Sequence, residues 1–331
     1  MQLIVTRTPL RISFAGGGTD LPGFYQQDFG AVFSTTISSY LYVTVKSHSP
    51  LFNEPIRLNY RRSEEVHTVD EIENDIAREC LRFLEIEPPI YISTVADHPQ
   101  SSGLGGSGAF AVGLLNALHS FRGERVSAAQ LAEEACHIEI EVLGQPIGKQ
   151  DQCAVAYGGL NFFRFGRTGN VSVESHRLSN GRVHELFDNL LLFWTGHQHD
   201  SSVILAEQEA NMLDKMESLR QLRDHAHELH ELMANGHVDL PRFGQILHEG
   251  WEVKRGLAST ISTNEIDNWY RRGIEAGAEG GKLCGAGGGG CLLFVVKPEH
   301  QDSVRRALHE LSEVPLSYEV HGSRVLLPTG D

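Results

Sequence analysis

The sequence predicts an α+β fold, because strand-like segments cluster early in the chain and helical segments cluster late. Stretches rich in β-branched and aromatic residues are QLIVTRTPLRISFA, AVFSTTISSYLYVTV, PIRLNY and PIYISTVA, and the first is predicted to be strand, turn and strand. Residues from about 201 to 276 mix polar and apolar side chains at helical spacing. We expect two domains, residues 1–175 and 176–331, with the strand NLLLFWTG near the start of the second.

The composition is that of a folded, acidic protein. Of 331 residues 40% are hydrophobic, and the formal net charge is −15. This charge argues against nucleic-acid and acidic-membrane partners, so an anionic small ligand would need a local basic or N–H-rich pocket. The five cysteines are widely spaced without a CxxC pair, which predicts neither a disulfide framework nor a zinc site. No signal-peptide pattern occurs, so we expect a cytoplasmic protein, and the sequence leaves a homodimer open.

The segment PQSSGLGGSGAF, residues 99–110, contains a dense group of glycines and leads directly into the helical pattern AVGLLNALHSF. Glycines let a backbone approach a ligand closely, and a helix N-terminus offers free N–H groups and a positive dipole end. We call residues 103–108 the glycine loop and predict that it binds a phosphate group. Its residues are Gly103, Leu104, Gly105, Gly106, Ser107 and Gly108.

Other interpretations of the glycine loop have different structural requirements. Gly103, Gly105 and Gly108 match the dinucleotide-binding pattern GxGxxG, but ADHPQSS separates them from the preceding strand. About 20 residues later, where that pattern needs an acidic strand end, the chain is within or just past a helix. The Walker A pattern GxxxxGK[ST] does not occur. A purely structural glycine turn is the remaining alternative.

Four segments, in order, resemble the GHMP kinases, the family of galactokinase, homoserine kinase, mevalonate kinase and phosphomevalonate kinase. They are PLRISFAGGGTD from residue 9, the glycine loop, GKQDQ at residues 148–152 and KLCGAGGGGCLL from residue 282. The resemblance implies an N-terminal domain like domain 2 of ribosomal protein S5 and a C-terminal α+β domain of ferredoxin-like type. It also implies transfer of phosphate from ATP, with Mg²⁺, to an alcohol. One departure is Gly106, where relatives usually carry a second serine.

The resemblance assigns the chemistry to four residues. Asp151 would take the proton of the acceptor hydroxyl or hold that hydroxyl in line with the γ-phosphate, and Arg11 would keep Asp151 ionised. Ser107 and Glu139 would bind Mg²⁺, a cation that prefers oxygen ligands. Glu139 is favoured over Glu141 because it matches the family pattern residue by residue. Taken singly, the arginine fits an edge strand, the aspartate a turn, and the glutamates a solvated helix face.

The acceptor implied by the resemblance is a sugar, phosphorylated at its anomeric C1 hydroxyl. D-glycero-D-manno-heptose 7-phosphate is the expected acceptor, and the alternatives are a fucokinase-like sugar kinase and a sugar sensor without catalysis. Galactokinases carry charged and imidazole side chains where this chain has two glycines after AG, which counts against galactose. The substrate-binding residues implied are Gly17, Gly18, Thr19, Asp20, Lys149, Gly287 and Gly288.

Further expectations concern local structure near these motifs. The segment CAVAYGGLNFFRF after GKQDQ predicts a strand, and Ser127 is expected to cap a helix that ends at Gly144. Lys282 is a weaker candidate for a phosphate or packing contact. Sugar-kinase relatives often carry arginine at the position of His199, so this histidine is a candidate substrate contact. The three histidines of HAHELHEL are expected on a solvated helix face.

Overall fold

The computed structural model describes residues 3–198, 201–234 and 238–329, which form two β-sheets with helices packed on them. The strands are β1 (Leu3–Ala15), β2 (Gly30–Ser47), β3 (Ile56–Asn59), β4 (Ser63–Val66), β5 (Ile90–Ala96), β6 (Leu160–Phe165), β7 (Val171–His176), β8 (Leu190–Trp194), β9 (Gly280–Leu283), β10 (Cys291–Val295), β11 (Ser312–Val314) and β12 (Arg324–Thr329). The helices are α1 (Pro22–Tyr25), α2 (Asp75–Phe83), α3 (Gly106–Phe121), α4 (Ala128–Cys136), α5 (Gln150–Tyr157), α6 (Asn180–Phe187), α7 (Ser201–Ala210), α8 (Met216–Ala234), α9 (Leu240–Arg255), α10 (Asn264–Glu275) and α11 (Pro298–Ala307).

The two sheets are almost entirely antiparallel. The first has the order β12-β1-β2-β5-β3-β4, with β6 paired to β2 and β7 paired to β6. Only β3 and β5 run parallel among the strand pairs of the described residues. The second sheet has the order β11-β8-β10-β9. Antiparallel sheets with helices packed on them confirm the predicted α+β class.

Strand β1 runs without a break from Leu3 to Ala15, so the predicted strand, turn and strand is wrong. Pro9 pairs with Tyr40 of β2, and the register of that pairing shifts between Pro9 and Leu10. The other neighbour, β12, pairs only with residues 3–7 of β1. A proline is tolerated at such a bulge, beyond the end of one neighbouring strand. Arg11 therefore lies on the same continuous strand as the N-terminal residues.

The strand predicted for CAVAYGGLNFFRF, residues 153–165, is only partly confirmed: Leu160–Phe165 form β6, but the first five residues belong to helix α5. The residues from Gln152 to Ala156 are all buried, and an apolar run of this length does not distinguish a buried helix from a buried strand. Gly158, with φ +70°, ends the helix, and β6 begins only at Leu160. Asp151 thus lies in the first turn of a helix rather than before a strand.

The helical segment that starts with α4 begins and ends as predicted, because Gly144, with φ +63°, follows its last cap residue. The Ser127 side chain accepts a hydrogen bond of 3.1 Å from the Gln130 N–H, which confirms the predicted cap. The α-helix ends at Cys136, and a π-helical turn, His137–Val142, continues it to a point before Gly144. Such π-turns are rare and frequently occur at functional sites.

Two hydrophobic cores meet at the second sheet. Leu192 of β8 and Leu293 of β10 belong to the core beneath the first sheet, whereas their neighbours Phe193 and Phe294 belong to the other. Strand β12, near the end of the chain, pairs with β1 and completes the first sheet. The division into residues 1–175 and 176–331 stays a prediction, and β12 joins the first sheet from within the second range.

The described residues also show the state of the cysteines, the character of the helices and the burial of the α8 histidines. All five cysteines are buried and unpaired. None of the helices in the described part of the chain combines the length and apolar character needed to cross a membrane. The histidines of α8 are half-buried, so their predicted solvated face is wrong. His230 lies 2.8 Å from a ring nitrogen of His176 and stacks on Phe162, an aromatic neighbourhood that sequence spacing does not show.

Candidate active site

The glycine loop presents the uncapped N-terminus of α3. Gly103 and Gly105 both have φ +79°, and Gly105 precedes the helix without a side-chain cap. The first N–H groups of such a helix have no intrahelical acceptor. Main-chain bonds fix the loop from both sides: the Arg11 N–H donates to the Leu104 carbonyl at 2.9 Å, and the Cys291 N–H donates to the Ser102 carbonyl at 3.1 Å. This geometry suits a phosphate, and phosphate binding by the glycine loop stays a prediction.

The second glycine-rich segment, the C-terminal glycine turn of residues 285–290, packs directly on the glycine loop. A Cβ atom at Gly285 would lie 2.6 Å from Cα of Gly103, and one at Gly103 would lie 2.4 Å from the Cys284 carbonyl oxygen. A Cβ at Gly290 would lie 2.7 Å from the Ser102 carbonyl oxygen. The two segments are rich in glycine because their backbones touch each other here.

Arg11 joins the glycine loop to Asp151. Its Nε and Nη2 atoms lie 2.7 Å and 2.6 Å from Oδ1 of Asp151, and its Nη1 donates to the Gly103 carbonyl at 2.6 Å. The arginine side chain is 5% exposed and the aspartate side chain 28% exposed. A buried guanidinium therefore orients a carboxylate that remains partly open to a substrate, with the other half of its fork on the loop.

Glu139 lies in the π-helical turn and is completely buried. Its carboxylate accepts hydrogen bonds from the Ser107 hydroxyl and, at 2.6 Å, from Nε2 of Gln152. Burial raises the pKa of Glu139 to about 7, and the charged groups that act on it, Asp151 and Asp75, are both acidic. The carboxylate thus has neutral partners and acidic neighbours, which is a costly environment for an anion.

These residues fit a magnesium ion. A cation would offset the burial of the Glu139 charge, and a carboxylate with a hydroxyl supplies the oxygen donors that Mg²⁺ prefers. Within the described ranges no group of three or more His, Cys, Asp or Glu side chains could hold a metal. An ion beside Ser107 and Glu139 would therefore depend on the phosphates of a nucleotide and on water for its other ligands. Glu141 pairs instead with His137 at the surface, at 2.8 Å.

Asp20 supports the segment that carries Asp151. It is 1% exposed, and its carboxylate accepts bonds from the Gly18 N–H at 3.1 Å and from the backbone and side chain of Gln150 at 3.1 Å and 2.9 Å. Burial raises the pKa of Asp20. A Cβ atom at Gly148 would lie 1.9 Å from Oδ2 of Asp20, so this position requires glycine.

Two other residues predicted to bind the substrate, Thr19 and Lys149, lie near Asp20 and make contacts of their own. Thr19 is buried, and its hydroxyl donates to the carbonyls of Gly16 and Ala31 at 2.7 Å and 2.9 Å. The Lys149 ammonium donates to the Gly169 carbonyl at 2.8 Å and lies 5.5 Å from the centre of the Tyr25 ring. These contacts fix side chains beside the Asp151 segment, and the role of each in binding a substrate stays a prediction.

The glycines of both substrate segments lie against other parts of the chain. A Cβ at Gly17 would lie 3.8 Å from Nε2 of Gln150, and one at Gly18 would lie 2.3 Å from Nε2 of Gln208. Gly287 packs on Ile261, and the Gly288 N–H donates to the Ile261 carbonyl at 2.8 Å. His199 lies outside the described residues.

Three polar residues of this region were not predicted from the sequence. Gln150 and Gln152 hold Asp20 and Glu139, and both lie in the motif GKQDQ, so their position was a signal. Lys254 of α9 is 7% exposed and lies beside Gly17, but its helical spacing resembles that of a surface lysine. Lys282, which the sequence offered as a phosphate or packing contact, donates to the Ser13 and Phe14 carbonyls at 2.6 Å and 3.2 Å.

Several known proteins are similar to this chain over nearly its whole length. The chain is 29% identical to D-glycero-alpha-D-manno-heptose 7-phosphate kinase of Campylobacter jejuni over 94% of both proteins. It is 25% identical to L-fucokinase/L-fucose-1-P guanylyltransferase of Bacteroides fragilis, with 95% of this chain covering 37% of that protein. The crystal structure of a D-glycero-D-manno-heptose 1-phosphate kinase from Bacteroides thetaiotaomicron superposes with a TM-score of 0.79 at 25% identity, covering 99% of this chain and 100% of the other.

Two family models match the sequence itself. The model of the GHMP kinases N terminal domain matches residues 68–159, and that of the GHMP kinases C terminal region matches residues 218–313. Together they cover more than half of the chain, and they include the glycine loop, Glu139, Asp151 and the C-terminal glycine turn. The predicted two-domain architecture of this family is thereby confirmed. The chain belongs to the GHMP kinase family, phosphotransferases that use ATP as donor and an alcohol group as acceptor.

Proposed function

We propose that this enzyme transfers the γ-phosphoryl group of Mg²⁺–ATP to the anomeric C1 hydroxyl of D-glycero-D-manno-heptose 7-phosphate, giving the 1,7-bisphosphate. The observation that carries the chemistry is the Arg11 guanidinium, which contacts Asp151 and the Gly103 carbonyl at once. The acceptor is inferred from the relative of 29% identity over nearly the whole of both chains. A cytoplasmic location and a homodimer stay predictions beside this proposal.

Each group at the site has a definite task in this reaction. The N–H groups of the glycine loop and the start of α3 bind the ATP phosphates. Asp151 accepts the proton of the C1 hydroxyl as its oxygen attacks the γ-phosphorus, while Arg11 holds the carboxylate in place. When bound beside Ser107 and Glu139, Mg²⁺ would supply charge neutralisation for the phosphates. The substrate segments from Gly17 to Asp20 and around Gly287 and Gly288 would enclose the sugar.

The proposal is tested by ADP release with Mg²⁺–ATP and a panel of heptose 7-phosphate, free heptose, fucose, galactose and mannose. We expect turnover with heptose 7-phosphate, with the new phosphate at C1 by phosphorus NMR. Asp151→Asn should lower kcat by about 1000-fold, within the range of a lost general base. Asp188→Asn is the matched control, because Asp188 is 65% exposed and its carboxylate pairs with His184 at the surface. It should keep the wild-type rate.

Other outcomes of the panel would assign the chain differently. Turnover of fucose in preference to the heptose phosphate would favour the fucokinase-like alternative, which the relative from Bacteroides fragilis supports less strongly. Binding of ATP and sugar without ADP release would favour a sensor.

The phosphate on C7 has its own test. Lys149, two residues before Asp151, is the basic side chain proposed to contact it, and its ammonium keeps further donors beyond the bond to Gly169. Lys149→Met should raise KM for heptose 7-phosphate about tenfold and leave KM for free heptose unchanged. Lys46→Met is the control, because Lys46 also lies over a tyrosine ring, that of Tyr91 at 5.4 Å. Equal effects on both sugars would contradict the assignment of Lys149.

A further inference from the structure

Lys254 is a buried cation near Arg11 and Asp151 that is not among the groups assigned to the proposed reaction. It lies at the end of α9 and is 7% exposed. Its Nζ donates to the Gly285 carbonyl at 2.5 Å. An ammonium has three N–H donors, so two of them have no acceptor among the residues that the structure describes. None of the carboxylates that the structure describes forms an ion pair with Lys254. A buried cation in this state is costly unless an anion joins it.

The ammonium of Lys254 lies between the donor side and the acceptor side of the site. Gly285, whose carbonyl it contacts, packs on Gly103 of the glycine loop. On its other side, a Cβ atom added to Gly17 would lie 3.9 Å from Nζ. Gly17 belongs to the segment predicted to bind the sugar, and the glycine loop to that predicted to bind ATP. The phosphoryl group passes between these two segments during the reaction.

The charges around Lys254 leave an excess of positive charge at this point. Arg11 of β1 and Lys282 of β9 repel it, whereas the carboxylates of Asp20 after β1 and Asp151 of α5 attract it. Burial raises the pKa of the Cys284 thiol, which therefore adds no negative charge. Asp151 is already bound by Arg11, and Asp20 by Gln150. Burial, followed by Arg11, lowers the pKa of Lys254 to about 8. An anion that binds here would interact with two cations, Lys254 and Arg11.

We propose that Lys254 donates hydrogen bonds to the non-bridging oxygens of the phosphoryl group while it passes from ATP to the sugar. In that step the sugar oxygen forms a bond to the γ-phosphorus, the bond from phosphorus to the β-phosphate oxygen breaks, and ADP keeps the electron pair. The hydroxyl proton goes to Asp151, and Lys254 transfers none. The ammonium stabilises charge that develops on the oxygens, together with Arg11. The inference rests on the proposed phosphotransfer but not on the identity of the sugar.

The test compares Lys254→Met and Lys254→Arg with wild type. We expect Lys254→Met to lower kcat by about 100- to 1000-fold with KM for ATP and sugar within about threefold, as for loss of one preorganised donor. Lys254→Arg should recover part of the rate. Lys297→Met is the control, because Lys297 is a surface lysine, paired with Glu279 at 2.7 Å, and should keep the wild-type rate.

A second readout separates this role from a structural one. The complex of Mg²⁺–ADP with aluminium fluoride mimics the planar phosphoryl group in transfer. Lys254→Met should weaken binding of that complex by about the same factor as kcat and leave binding of Mg²⁺–ADP alone unchanged. Wild-type kcat/KM should also fall above about pH 8 as the ammonium loses its charge, and Lys254→Arg should extend the plateau to higher pH.

Three results would overturn the inference. The first is a raised KM for the sugar at unchanged kcat in Lys254→Met, which would assign Lys254 to sugar binding. The second is a loss of stability together with equally weakened binding of Mg²⁺–ADP and of its fluoride complex, which would assign Lys254 to structure. The third is unchanged binding of the fluoride complex. That binding measurement needs no acceptor, so it decides the role of Lys254 even where the sugar panel fails. Absence of turnover with every sugar in wild type counts against the proposed function instead.

Discussion

A methyl group at Gly285 tests whether the C-terminal glycine turn positions the glycine loop. Gly285 has φ +78°, and its Cβ would lie 2.6 Å from Cα of Gly103. Ordinary contact begins at 3.4 Å, so Gly285→Ala must shift one backbone against the other by about 0.8 Å. A displacement of about 1 Å near the reacting atoms costs on the order of 100-fold in rate. We expect a loss of about that size in kcat/KM for ATP.

The same substitution also lowers the free energy of unfolding, by two separable effects. An alanine in the left-handed region costs about 1–2 kcal/mol, and overpacking against Gly103 adds about 1–3 kcal/mol. Gly123→Ala is the matched control, because Gly123 has φ +82° and its Cβ would meet no atom within 4 Å beyond its chain neighbours. It should lose only the conformational part and keep the wild-type kcat/KM.

Two measurements on both variants show whether the C-terminal glycine turn positions the glycine loop. Urea unfolding gives the free energy of unfolding, and ADP release at limiting ATP gives kcat/KM at a temperature where both variants are folded. If Gly285→Ala keeps wild-type kcat/KM, or loses no more than Gly123→Ala does, the contact between the two glycine-rich segments does not position the loop.

Three further substitutions address the remaining groups of the site and one group outside it. Arg11→Lys keeps the charge but removes the planar guanidinium that spans Asp151 and the Gly103 carbonyl, so kcat should fall about 10- to 100-fold. An unchanged kcat would show that catalysis does not need this double contact. Glu139→Gln should raise the Mg²⁺ concentration for half-maximal rate by at least about tenfold, whereas the surface substitution Glu141→Gln should not change it. If both variants need the same Mg²⁺ concentration, Glu139 is not a metal ligand. Hydrogen bonds to Glu134 and to Glu124 raise the pKa of His119 above 6.5 in the folded protein, so its stabilisation is complete below pH 6.5 and is lost as the pH rises through the raised value. His119→Gln should therefore cost about 1–3 kcal/mol in urea unfolding at pH 6 and much less at pH 9, while His184→Gln, with a ring 72% exposed, should change neither; a loss independent of pH would contradict the charge argument.

The fold class and the main parts of the site follow from local patterns in the sequence. Glycines before an apolar helix predict the loop at residues 103–108, and the structure places it at the N-terminus of α3. The resemblance to the family implies that Arg11 and Asp151 act together, and the structure places Nε of Arg11 2.7 Å from Oδ1 of Asp151. Their 140-residue separation in the chain gives no contact by itself, so here the family resemblance supplied what the pattern lacked.

Other parts depend on tertiary contacts that a local pattern does not carry. The helix over residues 150–157 could not be told from a strand in the sequence, because this segment is buried on nearly every side and the strand and helix patterns coincide in such a run. Pro9 lies within one strand because β12 has already ended where the bulge occurs. Lys254 has the spacing of a surface lysine, and only the packing of α9 beside Gly17 and Gly285 shows that it is buried.

The basic side chains of the site share one mode of attachment, which explains how an acidic protein holds anionic substrates. Arg11, Lys149, Lys254 and Lys282 each donate to a main-chain carbonyl, those of Gly103, Gly169, Gly285 and Ser13. A carbonyl fixes the direction of a cation without cancelling its charge, whereas a carboxylate does both. Of these four cations, only Arg11 also has a carboxylate partner among the described residues, Asp151. In a chain of net charge −15, the site thus keeps a local positive charge for phosphates.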